Sequence, residues 1–350
     1  MINKYEIKVF NSLSEKLKED WQALEKNSYN HIFQTFKWQK LWLEKQQEHN
    51  YDIINNTIFI YENKKLIMIL PFNIKNYFSF KILTWSGFPF ADYNIPLIIK
   101  NTKLSKENFD IIWKMILKNV KNCDCIILNN QPENILNQKN PFYYFLNNKI
   151  NNIYHGIKFN RQFELNKNEI DNIRYQTNRL KKLGKLEFKI AKDIDEKKNI
   201  LEFIVQHKSK QYINTKARDL FKQNFNKDFF ESSNLILKEN SYITYMQLDN
   251  EIISAHSGYI YENKCYYLFP VYNIKYKKFS VGKILLKKII DDLKLKSLEY
   301  FDLTIGYENY KKNFSNNKFN SALVMKALSF RGNFYIYLLK LKEILKKFLK

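Results

Sequence analysis

Apolar positions along this chain recur at two different periods, and the alternation between them maps its elements. Helical spacing marks residues 13–26 and 36–48, the second with Trp38, Leu41 and Trp42 on one face. Strand-length runs follow. Ile58–Tyr61 and Leu66–Asn73 flank the polar Glu62–Lys65 and predict a hairpin. Phe80–Trp85 and Ile95–Ile99 read as further strands, with Gly87 and Pro89 in the turn between them. An amphipathic helix over 108–120 and a short buried strand over 125–129 come next. The polar stretch Asn147–Asn152 is the strongest break in the middle, and it predicts a boundary between residues 1–150 and 151–350.

The second half repeats that order. A basic helix over 171–183 stops at Gly184, then strand 186–190 and helices 196–212 and 228–238 follow. Strands 242–248, 252–261 and 265–270 form a meander across Asp249-Asn250 and Glu262-Asn263. Helix 281–294, strand 300–305, a short helix 307–314 and strand 322–329 complete it. The pattern is α/β with an antiparallel part (α+β): mixed central sheets flanked by helices, not a doubly wound parallel sheet. Two successive units of similar order predict a pseudo-duplicated chain.

Composition narrows the class. At 350 residues the chain is long for one core, and 45% hydrophobic residues with 16% aromatics exclude a disordered chain. With 7 glycines and 6 prolines, collagen-like and Pro-rich architectures are excluded. No apolar run reaches the roughly 18 residues of a spanning helix. Met1–Phe10 lacks a leader pattern, so the expectation is a cytoplasmic, globular protein. Cys123, Cys125 and the remote Cys265 have neither disulfide nor zinc spacing, and no metal is expected. The net charge is +23, divided as +6 over residues 1–150 and +17 over residues 151–350. All five arginines (Arg161, Arg174, Arg179, Arg218, Arg331) lie in the second half and all five tryptophans in the first. A basic surface suits polyanions, whether nucleic acid, anionic lipid or nucleotide-bearing substrates; an AT-rich codon bias toward lysine accounts for the same total.

Candidate chemistry concentrates in residues 266–314. Lys275, Lys277, Lys278, Lys283, Lys287 and Lys288 fall within one stretch containing no acid. Ser280 reads as the N-cap of the helix that begins at Val281, and Gly282 allows close approach in its first turn. A helix start with free N–H groups and lysines around it is an anion site suited to a pyrophosphate, or else an ordinary capped surface helix. His256 shares a strand face with Ser254 and Gly258, and its ordinary pKa of about 6.5 suits a base. It reads equally as a half-buried structural histidine. Asp302 and Thr304 share one face of an apolar strand, where a carboxylate needs a partner. That aspartate is either structural or a base that orients His256. Glu308, at a helix start, and Tyr272 and Tyr310 complete the set.

Asp249–His256, Pro270–Gly282 and Phe301–Phe314, together with Phe33–Trp38 and the basic Arg174–Gly184, resemble the GNAT-superfamily acetyltransferases of the cellulose and exopolysaccharide biosynthesis type. These are tandem GNAT proteins related to Fem-type aminoacyl-tRNA-dependent transferases. The likeness runs over nearly the whole chain and is most specific at Asp302, Thr304, Gly306, Glu308, Tyr310 and Lys311. It implies a tandem GNAT-like fold, with the acyl-CoA site in residues 151–350. The two-glycine loop usual in such enzymes is here reduced to Gly282. By this resemblance acetyl-CoA or another acyl-CoA is the co-substrate, held by Pro270, Val271, Lys278, Ser280, Val281, Gly282 and Lys283. His256, Asp302, Glu308 and Tyr272 are then the catalytic candidates, and Arg174, Arg179 and Tyr310 those for the acceptor. The implied reaction is direct attack of an amine or hydroxyl on the thioester, with an amino sugar or another small or sugar-linked envelope precursor as acceptor. Under the alternative of a Fem-type transferase, the partner is tRNA. A non-catalytic basic module that binds membrane or nucleic acid is the competing class.

The segment Phe334–Lys350 reads as a basic amphipathic helix, with Leu338, Leu341, Leu345 and Phe348 on one side. It either packs inward as a last helix or rests on an anionic membrane at its inner face.

Overall fold

The computed structural model describes residues 4–120, 122–160 and 163–348, with side chains as far as residue 345. Arg161 and the side chains beyond residue 345 therefore lie outside the described residues. The chain divides into two compact units, Met1–Asn152 with Asn320–Lys350, and Ile153–Phe319. The segment 320–350, expected with the second half, thus groups with the first.

The first unit opens with a strand that the sequence pattern did not mark, β1 (Tyr5–Phe10). Helices α1 (Glu15–Lys26) and α2 (Phe36–Glu48) follow, and the Thr35 hydroxyl caps α2 by accepting the Trp38 N–H at 3.3 Å. Strands β2 (Ile53–Asn55), β3 (Thr57–Glu62), β4 (Lys65–Leu70), β5 (Phe72–Tyr77), β6 (Phe80–Trp85) and β7 (Leu97–Ile98) come next. The apolar run expected as one strand over 66–73 is broken at Pro71, which has no N–H for a ladder, so β4 and β5 join different sheets. Helix α3 (Lys106–Asn119) is capped by the Ser105 hydroxyl, which accepts the Asn108 N–H. Strands β8 (Cys125–Pro132), β9 (Asn134–Ile135) and β10 (Gln138–Lys139), then helix α4 (Pro141–Phe145), lead to β11 (Lys149–Lys158). The polar Asn147–Asn152 stretch therefore runs into a strand.

The second unit continues with α5 (Lys167–Lys181), β12 (Leu186–Ile190), α6 (Ile194–Asn214) and α7 (Asn224–Ile236). The meander is β13 (Ser241–Leu248), β14 (Glu251–Tyr261) and β15 (Lys264–Tyr272). Helix α8 (Val281–Leu295), strand β16 (Tyr300–Ile305) and the short α9 (Asn309–Phe314) follow; β17 (Asn317–Ala327), from Asn320 onward, and α10 (Phe330–Phe348) belong to the first unit.

Each unit contains one parallel strand pair whose crossover contains a helix. In the first, β6 and β8 are parallel with α3 between them; in the second, β15 and β16 are parallel with α8 between them. The other pairs described in these sheets are antiparallel, in the orders β17-β8-β6-β5-β2 and β12-β13-β14-β15-β16-β11. A small sheet, β1-β3-β4-β7, completes the first unit. The core of the second unit joins Ile284, Ile289 and Leu293 of α8 to Tyr242, Met246, Cys265, Phe301 and Leu303 of the sheet. Burying the apolar stripe of α8 fixes where its first turn points, at roughly 25 cal/mol per Å² of apolar surface removed from water.

Candidate active site

Strands β15 and β16 pair only over Lys264–Tyr266 and Tyr300–Asp302, and beyond that point they part. Two local features open the gap. Thr304 adopts φ +59°, in the left-handed region, and its N–H is held by the Asp302 carboxylate at 2.8 Å. Opposite, the register of β11 against β16 slips between His155 and Gly156. On the other strand, the Pro270 carbonyl accepts a hydrogen bond from Lys208 Nζ at 3.3 Å, so it faces away from β14. Because N and C=O of one residue in a strand point the same way, the nitrogen of Pro270 also faces the gap, where no ladder partner is required of it.

A cleft of about 310 Å³ occupies this place. Its walls are Tyr267, Pro270, Val271 and Tyr272 of β15, and Val281, Gly282, Lys283, Leu285 and Leu286 at the start of α8. Lys277, Ser280, Glu308 and Tyr310, with Lys208 and Gln211 of α6, complete the lining.

The start of α8 differs from the expected cap. Ser280 stands at the N-cap position with φ +54°, and its side chain makes no capping bond. Its carbonyl accepts the N–H groups of Lys283 and Ile284 at 2.9 and 3.2 Å. The left-handed turn at Ser280 follows the 3-10 segment Ile274–Phe279 and directs the chain into the helix. In an α-helix the first N–H groups, here of Val281 and Gly282, have no carbonyl one turn back. A Cβ added at Gly282 would meet only the Tyr272 ring, at 3.5 Å, so this wall of the cleft is open backbone. That surface fits a pyrophosphate, with Lys277 beside it, and Lys277 makes no ion pair among the described residues. Lys283 is already engaged: its ammonium donates to both carboxylate oxygens of Glu169, at 3.0 and 2.9 Å. Burial opposes ionisation of Glu169, yet the hydrogen bonds from Lys283 and Asn313 hold its carboxyl below the usual range. Lys278 lies over the Phe279 ring, 5.2 Å from its centroid, and does not line the cleft.

The expected base is placed elsewhere. His256 is 0% exposed, stacked on Tyr267 at 4.5 Å between ring centroids, with Nδ1 3.4 Å from the Thr244 hydroxyl. Loss of solvent pushes its imidazole down to about 3, so it is a neutral core group behind the cleft wall. Asp302, also buried, serves the Thr304 turn rather than the cleft, and the left-handed Thr304 breaks the shared face expected for the two residues. Arg174 is exposed and pairs with Asp171 at 3.8 Å, while Arg179 lies over the rings of Phe279 and Tyr175. Neither arginine reaches the cleft. The sequence-predicted residues brought together there are Pro270, Val271, Tyr272, Ser280, Val281, Gly282, Lys283, Glu308 and Tyr310.

Lys208 was not legible in advance. Burial strips water from its ammonium and lowers its pKa to about 8, against a smaller opposing pull from Glu308. It is thus an amine that exchanges protons near neutrality, inside the cleft. Glu308 is exposed at the rim, with its carboxylate 3.3 Å from Lys311 Nζ. A Cβ at Gly306 would run into that carboxylate, so this pair depends on the glycine. Burial raises the Tyr310 hydroxyl well above its ordinary pKa, which keeps it a proton-bearing donor. Among the described residues, no group of three or more His, Cys, Asp or Glu side chains could hold a metal ion.

Residues 167–312, which include every wall of this cleft, match the acetyltransferase (GNAT) domain family. No curated protein matches the chain. Among solved structures, FemX superposes with a TM-score of 0.61 at 8% identity, covering 92% of this chain and 97% of its own. L-PGS from Bacillus licheniformis gives 0.55 at 10% identity, over 92% and 95%. A tandem GNAT protein from the clavulanic acid biosynthesis pathway gives 0.52 at 7% identity, over 93% and 99%. The chain has a mixed α/β GNAT fold and carries an N-acyltransferase-type enzyme domain.

Proposed function

We propose that this protein transfers an acyl group from acyl-CoA to an amine, by direct attack on the thioester within the cleft of the second unit. The observation that carries this reading is the meeting of three features in one space: parted strands, an uncapped helix start and the Lys208 amine. The N–H groups of Val281 and Gly282, with Lys277, hold the diphosphate, and the gap edge at Pro270–Tyr272 receives the pantetheine arm. Acyl-CoA supplies the activated acyl group and a thiolate able to depart.

The remaining demands fall on the chain's own side chains. Lys208 in its neutral form takes the proton that the attacking amine must lose, and this replaces His256 in the role expected for it. Tyr310 or Tyr272 donates a hydrogen bond toward the departing sulfur, and the high pKa of Tyr310 makes it a donor rather than a proton source. Glu308 at the rim attracts a cationic acceptor amine. The acceptor class best suited to the resemblance of the sequence is an amino sugar or another envelope precursor. The two units act as tandem halves, of which the second, Ile153–Phe319, holds the donor.

Calorimetric titration with acetyl-CoA and desulfo-CoA, followed by an assay for thiol release with amine acceptors, tests the reading. Micromolar binding and amine-dependent release are expected; no heat with either ligand at millimolar concentration overturns it. The likeness to FemX over 92% of the chain supports a second reading, in which an aminoacyl group is the one moved. Consumption of aminoacyl-tRNA without acyl-CoA binding would select that donor.

A further inference from the structure

Helix α10 has two apolar sides. Gly332 and Ile336 are buried against the rest of the first unit, and the Tyr335 ring packs tilted on Phe80 and edge-on to Tyr77, with ring centroids 4.9 and 6.1 Å away. The opposite side is apolar as well. At 3.6 residues per turn, Phe330, Phe334, Leu338, Leu341 and Leu345 fall on one stripe, with Tyr337 and Ile344 along its edge. All seven are exposed, Phe330 at 87%. The turn between β5 and β6 lies alongside the helix, where Tyr77 meets Tyr335 at the border of the stripe, and the neighbouring Phe78 is 87% exposed. Soluble surfaces rarely leave so many large apolar side chains together without a partner.

The charges flanking the helical stripe are lysines, and the exposed acid beside the hairpin, Asp52, is held by the Asn76 side-chain amide at 2.5 Å. Lys340 and Lys342 flank the helical stripe, and Lys75 and Lys81 stand in the strands of the hairpin. Glu343, the single acid between 330 and 345, points the other way and pairs with Lys149 at 3.1 Å. Asp124, near the helix start, accepts from Ser329 and pairs with Arg331 at 3.9 Å. An apolar stripe with lysines along both borders and no acid on its face is complementary to an anionic lipid surface, with rings and leucines at the acyl boundary and ammonium groups at the phosphates. A second copy of the chain suits it less: two such faces laid together would set lysine rims against each other with no carboxylate between them. No described helix is long and apolar enough to cross a membrane.

We propose that the exposed face of α10, together with the Tyr77–Phe78 turn, docks the protein on an anionic membrane. The test uses the full chain with vesicles of phosphatidylcholine alone or mixed with phosphatidylglycerol. Co-sedimentation is expected with the mixed vesicles, weakened but not abolished by added salt, because the apolar contact is insensitive to screening. The pair Leu338→Glu and Leu341→Glu, and separately Phe78→Ser, should each lower vesicle affinity by about ten-fold or more. These positions are exposed, so melting temperature and acyl-CoA binding should stay as in the parent chain. Co-sedimentation that ignores the apolar variants, or depends only on salt, overturns the proposal. So does a dimer in light scattering that the same variants dissolve while vesicles go unbound.

Discussion

At the scale of single residues, the proposed site rests on Lys208 and Gly282. Lys208 has a pKa lowered to about 8 by burial. If its neutral form is the proton acceptor, kcat should climb with pH and level off above about 8, and Lys208→Met should remove that limb of the profile rather than shift KM. The same shift has a stability sign. The folded lysine binds fewer protons than the unfolded one between about 8 and 10.5, so its contribution to stability is complete above 10.5 and is lost as pH falls through 8. At Gly282 an added Cβ meets only the Tyr272 ring at an ordinary distance. Gly282→Ala should therefore raise stability by about 0.5–1 kcal/mol, as alanine does in a helix. Gly282→Leu, by filling the cleft, should abolish acyl-CoA binding without lowering the melting temperature; calorimetry and thermal melts read both. His256 is held neutral with a pKa of about 3, so acid should destabilise the protein from about pH 6.5 downward. His256→Leu should reduce that acid sensitivity in pH-dependent melts.

At the scale of elements, the left-handed turn at Thr304 and the ion pair between α5 and α8 shape the surroundings of the cleft. Asp302 accepts the Thr304 N–H in the interior, and removing that acceptor leaves a buried donor unpaired. Asp302→Ala should cost about 1–3 kcal/mol in denaturant unfolding. Adding Thr304→Gly should recover part of it, since glycine accepts a positive φ without strain. At the cleft wall the Lys283 ammonium is bound by Glu169 of α5. That contact explains why a lysine expected to grip the donor is structural in part.

At the scale of the whole molecule, the net charge of +23 acts as a field rather than as a site. Retention on RNA or heparin should fall steeply with salt and be indifferent to Gly282→Leu, whereas acyl-CoA affinity should fall only modestly with salt and be lost in that variant. Affinity chromatography beside calorimetry distinguishes the two.

Much of the molecule was legible before any coordinates. Helices α1, α2, α6 and α8 and the β13–β15 meander follow from apolar period and turn residues, because each buries one face and must repeat its apolar positions at that element's pitch. The start of α8 was legible too, since the Ser280–Lys283 stretch carries small residues and lysines in local order, although the Ser280 side chain does not cap it. What needed the tertiary structure was every property set by burial. His256 and Lys208 look alike in sequence, one titratable group each in a patterned element. Folding put the imidazole behind the wall and the amine inside the cleft, and the desolvation of each sets its charge. Likewise the sequence marks α10 as amphipathic and basic, but which stripe meets protein and which meets solvent depends on neighbours far away along the chain, Tyr77 and Phe80 among them. Local order determines pitch and turns; long-range packing alone determines which polar groups lose their water.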